Sequence, residues 1–247
     1  MVSYAIFSGI GNRLHNEDYA GTERLGNEYG FFLADGLGGH NRGDAAAQIA
    51  VKEAKEQFFV EGASCGCVRR IFDSAQKSIL RYQRDTHNES SMRTTLCALL
   101  ISEIDICWAH IGDTRLYYFQ EGHLKEQTKD HSVPQMLVNS GMLTADRIRF
   151  HPDRNRLVQC MGIPWEGEPY ECAKAVSREG RQEFLLCTDG YWELIEESEI
   201  ERALKLAASP GEWLDNMATV IEKKKRGRDR DNWSAIAVWS DEEAVPT

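Results

Sequence analysis

Residues 94–120 read TTLCALLISEIDICWAHIGDTRLYYFQ, and their order decides the fold. TTLCALLI (94–101) and IDICWAHI (104–111) are strongly β-prone runs separated by a short polar turn around Ser102-Glu103. RLYYFQ (115–120) continues after a second turn, and the sheet pattern then fades. Connections this short join antiparallel neighbours, because a parallel crossover needs a dozen or more residues. The stretch is a β-meander.

Working outward, the segments before the meander read as strands at 2–10 and at 28–34 (EYGFFLA), followed by two helices. Asp44 to Val60 places Ala46, Ile49, Ala50, Ala54 and Phe58 on one helical face. Val68 to Arg84 does the same with Ile71, Phe72, Ala75, Ile79 and Tyr82. After the meander, residues 131–160 combine a short amphipathic piece (Val133 to Ser140) with an Arg-rich polar loop of the kind that borders active sites. EFLLCTDG (183–190) is a further strand, helices follow at about 191–207 and 211–225, and SAIAVWS (234–240) closes the pattern. The order β, αα, meander, αα, β is not the alternation of a parallel sheet. It predicts an α+β architecture of antiparallel sheets with helices packed outside.

The 247 residues are 42% hydrophobic and carry no repeat or low-complexity linker, so one domain spanning 1–247 is expected. No apolar run reaches the roughly 20 residues of a membrane span, and the first segment lacks a signal peptide's basic start, so a cytosolic protein with no membrane partner is expected. Thirty-nine Asp and Glu against 29 Lys and Arg give a net charge of −10, which argues against nucleic acid as a partner. The seven cysteines, mostly in apolar segments (Cys97, Cys107, Cys160, Cys187), read as reduced core thiols. Cys65 and Cys67 lack the second pair that a zinc site requires.

The acidic residues carry the chemistry. Asp35 follows the apolar run FFLA, Asp189 follows FLLCT, Asp113 comes just after CWAHIG, and Asp231 precedes SAIAVWS. Glu17 and Asp18 lie just beyond the first strand. A single Asp-Gly is a turn pair in its own right. As a set, strand-end carboxylates could converge on one rim, where their repulsion would force protonation unless a cation neutralised it. All-oxygen ligands select Mg²⁺ or Mn²⁺, and two such ions bridged by one carboxylate can hold a hydroxide for in-line attack on phosphorus. Arg13 could grip a phosphate dianion in two-pronged fashion, or simply pair with Glu17 four residues on.

Seven segments then fall in a familiar order: RLHNED (13–18), DGLGGH (35–40), TTL (94–96), AHIGDTRLY (109–117), TKDHS (128–132), TDG (188–190) and DNWSAIAV (231–238). Together they resemble the metal-dependent protein phosphatases of type 2C, the PPM family, in their compact bacterial form. The resemblance implies a four-layer α/β/β/α sandwich, a central antiparallel β-sandwich flanked by helix pairs. It implies a protein serine/threonine phosphatase that uses two, and up to three, Mn²⁺ or Mg²⁺ ions and acts by direct attack of a metal-bridging hydroxide. Phosphorylated proteins and a cognate bacterial Ser/Thr kinase are the implied partners, and a monomer is expected.

By the same resemblance, Asp35 would bridge two metals with the Gly36 carbonyl as a further ligand, and Asp189 and Asp231 would bind the first. Glu17 and Asp18 would hold metal-bound waters, and Asp113 with Asp189 would bind the third ion. Arg13 would contact the substrate phosphate, Asn232 would order the loop beside Asp231, and 133–160 would form the flap. Leu37 stands where many eukaryotic members carry a His, so a metal-bound water or His40 is expected to supply the proton to the leaving alkoxide. Arg93 and Gln127 also depart from the usual pattern, as Gly and Leu are usual there. His110 and His131 read as structural rather than metal-ligating, and KKKRGRDRD (223–231) as a helix end and solvated loop rather than a docking patch. Two rival readings share the sequence: a phosphatase of small phosphoesters, and a non-catalytic pseudophosphatase binding module.

Overall fold

The computed structural model describes residues 1–37, 42–88, 91–224 and 230–241. Its strands are β1 (Val2–Gly9), β2 (Asp18–Leu25), β3 (Glu28–Leu37), β4 (Arg93–Thr94), β5 (Leu96–Ile101), β6 (Asp105–Ile111), β7 (Arg115–Gln120), β8 (His123–Gln127), β9 (Glu171–Cys172), β10 (Val176–Ser177), β11 (Gln182–Cys187) and β12 (Trp233–Ser240). Its α-helices are α1 (Gly43–Glu61), α2 (Cys65–Thr86), α3 (Val133–Asn139), α4 (Asp189–Trp192), α5 (Glu197–Leu206) and α6 (Pro210–Lys224). Among the described residues no helix is long and apolar enough to cross a membrane.

The strands form two antiparallel sheets. One has the order β1-β12-β11-β7-β8, and the other β10-β6-β5-β3-β2 with β4 paired to β3 and β9 to β6. Alternate residues explain why the strands read as unbroken apolar runs. Along β3, Phe31 and Leu33 enter the core between the sheets, while Phe32 and Ala34 enter a second core beneath α1 and α2. Along β12, Ile236 and Val238 face the inter-sheet core, while Ala235, Ala237 and Trp239 face the layer of α4, α5 and α6. Each sheet is thus buried on both faces, the condition that produces continuous hydrophobic strands. The result is the expected four-layer sandwich.

Four strands escaped the sequence reading: the two-residue β9 and β10, and two longer edge strands. DYAGTERL forms β2 and HLKEQ forms β8, each with one sheet partner and a largely polar, half-exposed surface that carries little apolar signal. The expected helix at 191–207 is two helices, because the chain turns between Trp192 and Glu197; the strand before it ends at Cys187. Tyr82, expected in the core face of α2, is 45% exposed. α2 itself begins where Ser64 Oγ accepts the Cys67 amide at 3.0 Å, and ends on His87 in the left-handed region.

Leu99 has no solvent exposure and sits in the inter-sheet core. Leu99→Ala is expected to lower the unfolding free energy by about 3 kcal/mol. Urea titration checks this, with a lower midpoint at unchanged slope as the expected result.

Candidate active site

The rim of the sandwich collects acidic residues from both sheets because of how the strands register. Asp18 opens β2 and lies directly across from Asp35 on β3. Asp113 sits in the connection by which β6 of one sheet passes to β7 of the other. Asp189 follows β11 and opens α4, and Asp231 precedes β12. Five separate segments therefore bring carboxylates to one end of the inter-sheet core.

Buried hydroxyls fix the backbone that carries them. The Asp35 amide donates to Thr95 Oγ1 at 2.9 Å, and its carbonyl accepts from the Thr95 amide at 2.9 Å and Thr94 Oγ1 at 2.8 Å. Thr95 Oγ1 in turn meets Thr114 Oγ1 at 2.6 Å, tying Asp35 to the Asp113 turn. Thr188 Oγ1 donates to Asp18 Oδ2 at 3.0 Å and accepts the Ser234 amide at 3.0 Å, which links Asp18 to the Asp189 and Asp231 strands. These are the Thr-Thr of TTL and the Thr of TDG, so the motifs carry positioning residues as well as acids.

Asn232, expected to order the loop beside Asp231, bonds instead across to the N-terminal loop. Its Oδ1 accepts the Glu17 amide at 2.8 Å, and its Nδ2 donates to the carbonyls of Ile10 at 2.9 Å and His15 at 3.0 Å. Gly36 accepts no side chain: a Cβ there would lie 2.3 Å from the Gly43 carbonyl carbon and 2.8 Å from the Glu17 carbonyl oxygen. The start of α1 is thereby pressed against the end of β3, next to Glu17.

The electrostatics follow from the burial of like charges. Burial pushes the Asp18 carboxyl up to about 7, with Asp231 and Glu17 adding to it. Asp113 is pushed up to about 7 by burial and then by Asp130. Asp35 and Asp189 rise well above the usual carboxylate range, first by burial and then by the surrounding acids: Asp18, Asp189, Asp113 and Asp231 for Asp35, and Asp113, Glu193, Asp231 and Asp18 for Asp189. Glu17 is also raised, by burial and then by Asp44 and Asp231. Asp18 Oδ1 is buried and has no hydrogen-bond partner. A set of all-oxygen donors held together against its own repulsion, with a buried oxygen left over, fits a hard divalent cation.

Two arginines on this rim differ sharply in burial. Arg115 forks onto Asp130 with both bonds at 2.8 Å, lies 3.5 Å over the Trp192 ring, and is 4% exposed. Breaking such a buried pair costs about 3–5 kcal/mol, so the Arg of AHIGDTRLY and the Asp of TKDHS hold the fold. Arg13 forks onto Asp231, Nε to Oδ1 at 2.9 Å and Nη2 to Oδ2 at 2.6 Å, rather than onto Glu17. That side chain is 58% exposed, so solvent screens this pair far more than the Arg115–Asp130 pair.

The sequence reading missed Arg154 and Glu193. They pair at 2.7 Å and line a cavity of about 170 Å³ together with Arg13, Asp189 and Asp231. Glu193 lies four residues after Asp189 and so on the same helical side, a spacing that could have flagged it. Arg154 comes from the expected flap, which contains α3 and a 3₁₀ turn at Ala145–Phe150. His40, Arg226 and Arg228 lie outside the described residues.

His110 and His131 do find partners, which the sequence spacing did not reveal. Their rings stack at 4.8 Å, and one ligand atom of each lies within 4.8 Å of a Glu171 oxygen. His131 Nδ1 accepts the Gly112 amide at 3.1 Å, so its ring proton sits on Nε2, facing Glu171 at 3.5 Å. His110 Nε2 donates to the Lys129 carbonyl at 2.7 Å. The bonds to Gly112 and Lys129 tie both rings to the backbone of the β6–β7 and β8–α3 connections.

Comparison with known proteins places this geometry. The family model for protein phosphatase 2C matches residues 8–226. The chain belongs to the protein phosphatase 2C family. It is 30% identical over 214 residues to the serine/threonine phosphatase stp of Listeria welshimeri, covering 84% of each chain. Among solved structures it resembles serine/threonine phosphatase Stp1 of Staphylococcus aureus, at a TM-score of 0.86, 24% identity and 98% and 96% coverage. It also resembles the catalytic domain of the serine/threonine protein phosphatase PstP solved with 2 manganese ions, at a TM-score of 0.80, 25% identity and 97% and 99% coverage. The match in fold runs over nearly the whole of this phosphatase.

The raised carboxyls give the metal-free protein a specific pH dependence. In the folded state Asp18 and Asp113 hold protons up to about pH 7, whereas unfolded Asp releases them near 3.8. Their contribution is complete below the unfolded value and lost as pH rises through the folded one. His110, lowered to about 4, acts in the opposite sense, but only below its unfolded value of 6.5. Chelated protein is therefore expected to lose on the order of 5 °C in Tm between about pH 6.5 and 8. Saturating Mn²⁺ should flatten that slope, and thermal unfolding in the two conditions checks it.

Proposed function

We propose that this protein phosphatase hydrolyses phosphoserine and phosphothreonine on other proteins in a divalent-cation-dependent reaction, by direct attack of water and without a phosphoenzyme. The observation that carries the proposal is the convergence of Asp18, Asp35, Asp113, Asp189 and Asp231 at one rim of the sandwich, where each of the first four is raised by burial and by neighbouring acids. Asp35, the Gly36 carbonyl, Asp189 and Asp231 would hold two Mn²⁺ or Mg²⁺ ions, Glu17 and Asp18 would hold their waters, and Asp113 with Asp189 would hold a third ion. When bound, such ions activate a water for in-line attack and neutralise charge on the phosphoryl oxygens.

The chain's own residues do the rest. Arg13 leaves a weak, exposed fork on Asp231 for a two-pronged hold on the substrate phosphate, a geometry that guanidinium groups match well. Asn232 keeps Glu17 beside Asp231 through its three bonds to the loop. Thr95 and Thr188 fix the two strand ends between which the phosphate is held. A phosphoprotein antagonist of a bacterial Ser/Thr kinase, working as one domain over residues 1–247, is the role that fits these residues.

The test is phosphate release from a phosphothreonine peptide with and without Mn²⁺. Asp189→Asn is expected to reduce Mn²⁺-dependent kcat by about a thousandfold or more, because it removes a charge from the reacting centre. Arg13→Ala is expected chiefly to raise KM, by about 10- to 100-fold, as a lost phosphate contact should. Release that proceeds equally without metal, or an Asp189→Asn enzyme at full rate, would refute the proposal.

A further inference from the structure

KKKRGRDRD (223–231) reads as a helix end and a solvated loop, but its Arg230 is buried, with a side chain only 2% exposed. The guanidinium carbon lies 3.1 Å over the ring of Trp233, the first residue of β12. Nη1 donates to Glu222 Oε1 of α6 at 2.6 Å. The other two nitrogens, Nε and Nη2, are buried and have no hydrogen-bond partner. Buried donors left unpaired cost stability, and more so on a charged group. An arginine held at that cost one residue from Asp231 points to a use other than stability.

Arg230 lines the same cavity as Arg13, Asp189 and Asp231. Its carbonyl accepts the amide of Asn12, the residue before Arg13, at 3.0 Å. Gly11, in the left-handed region with φ at 63°, makes this approach possible. A Cβ there would lie 2.1 Å from the Asp231 carbonyl oxygen and 2.8 Å from that of Arg230. The loop that presents Arg13 is therefore laid directly on the 230–231 backbone, and the fork of Arg13 on Asp231 closes the same contact. The indole beneath the guanidinium is itself fixed. Its ring centroid lies 4.3 Å from that of Phe7 on β1 and 5.7 Å from that of Tyr191 on α4.

We propose that Arg230 is a positioning residue of the phosphatase site, a role that rests on the assignment of Arg13 to the substrate phosphate and Asp231 to the cation. Its side chain, held between Trp233 and Glu222, sets the backbone on which both are placed. It acts on Arg13 through the carbonyl that takes the Asn12 amide, and on Asp231 through the peptide bond. A planar guanidinium suits this task, because it lies flat on an aromatic ring while a carboxylate pins one edge. Displacing the loop by about 1 Å would leave the fold intact and spoil the two-pronged hold on phosphate.

The experiment measures KM and kcat for a phosphothreonine peptide at saturating Mn²⁺, together with Tm. The variants are Arg230→Met and Arg230→Lys, each made in the wild-type chain and in Arg13→Ala. Met is an unbranched side chain that can lie over Trp233 without unpaired donors. Arg230→Met is expected to raise KM by about tenfold with a smaller change in kcat, at a Tm within about 3 °C of wild type. Arg230→Lys keeps a charge for Glu222 and is expected to recover part of that loss. In Arg13→Ala the same substitutions should change KM by less than about twofold, because the contact they disturb is already gone. Glu222→Gln, at an exposed position on α6, leaves the arginine in place and is expected to raise KM by about two- to threefold. The proposal is overturned if KM in Arg230→Met stays at the wild-type value, or if it rises equally with and without Arg13. Should Arg230→Met fail to fold, an unchanged KM in Glu222→Gln overturns it. A wild-type chain that releases no phosphate with Mn²⁺ defeats the proposed function and this role with it, whereas normal wild-type release with unaltered KM in the variants defeats this role alone.

Discussion

The structure depends on the burial of like charges at the end of a two-sheet core. Asp18, Asp35, Asp113 and Asp189 are all pushed upward by burial; neighbours in the same set add to it for Asp18, Asp35 and Asp189, and Asp130 adds to it for Asp113. Hydrophobic packing makes this arrangement obligatory. The strands that carry the acids are locked in place by Phe31, Leu33, Leu186 and Ile236 between the sheets, so the carboxylates cannot separate without disturbing the inter-sheet core. The free energy of a well-packed sandwich is thereby set against an electrostatic cost that a cation removes.

A frame of neutral hydroxyls and one amide holds the acids without neutralising them. Thr94, Thr95, Thr114 and Thr188 are fully buried and bond the backbone or side chains next to the acids, and Asn232 makes three bonds to the N-terminal loop. Cations stand one step back. Arg115 is committed to Asp130, Arg154 to Glu193, and Arg13 touches the cluster through its exposed edge at Asp231. A buried lysine or arginine inside the ring would have satisfied the carboxylates and removed their affinity for metal.

Much of this was legible in the chain because the signals were local. The meander at 94–120, the two amphipathic helices and the acids at strand ends all follow from residues within a few positions of one another. The edge strands β2 and β8 were not, since DYAGTERL and HLKEQ bury little and their pairing depends on a partner strand. The Arg13 fork joins residues 218 positions apart, and the Thr188–Asp18 bond joins residues 170 apart, so neither contact leaves a trace in spacing. Local reasoning paired Arg13 with Glu17 as readily as with any phosphate, and the fold supplied Asp231 instead. The threonines of TTL and TDG were visible as letters in motifs, but their roles as positioning groups needed the strands to be assembled.

The central claim is that the raised carboxyls and the cation site are the same groups, so cation binding must displace their protons. Calorimetric titration of the chelated protein with Mn²⁺ near pH 6.5, in two buffers of different ionisation enthalpy, measures that exchange directly. The account predicts binding with net proton release, and loss of both the binding and the release in Asp35→Asn. Mn²⁺ binding without proton release, or binding unchanged in Asp35→Asn, would contradict it.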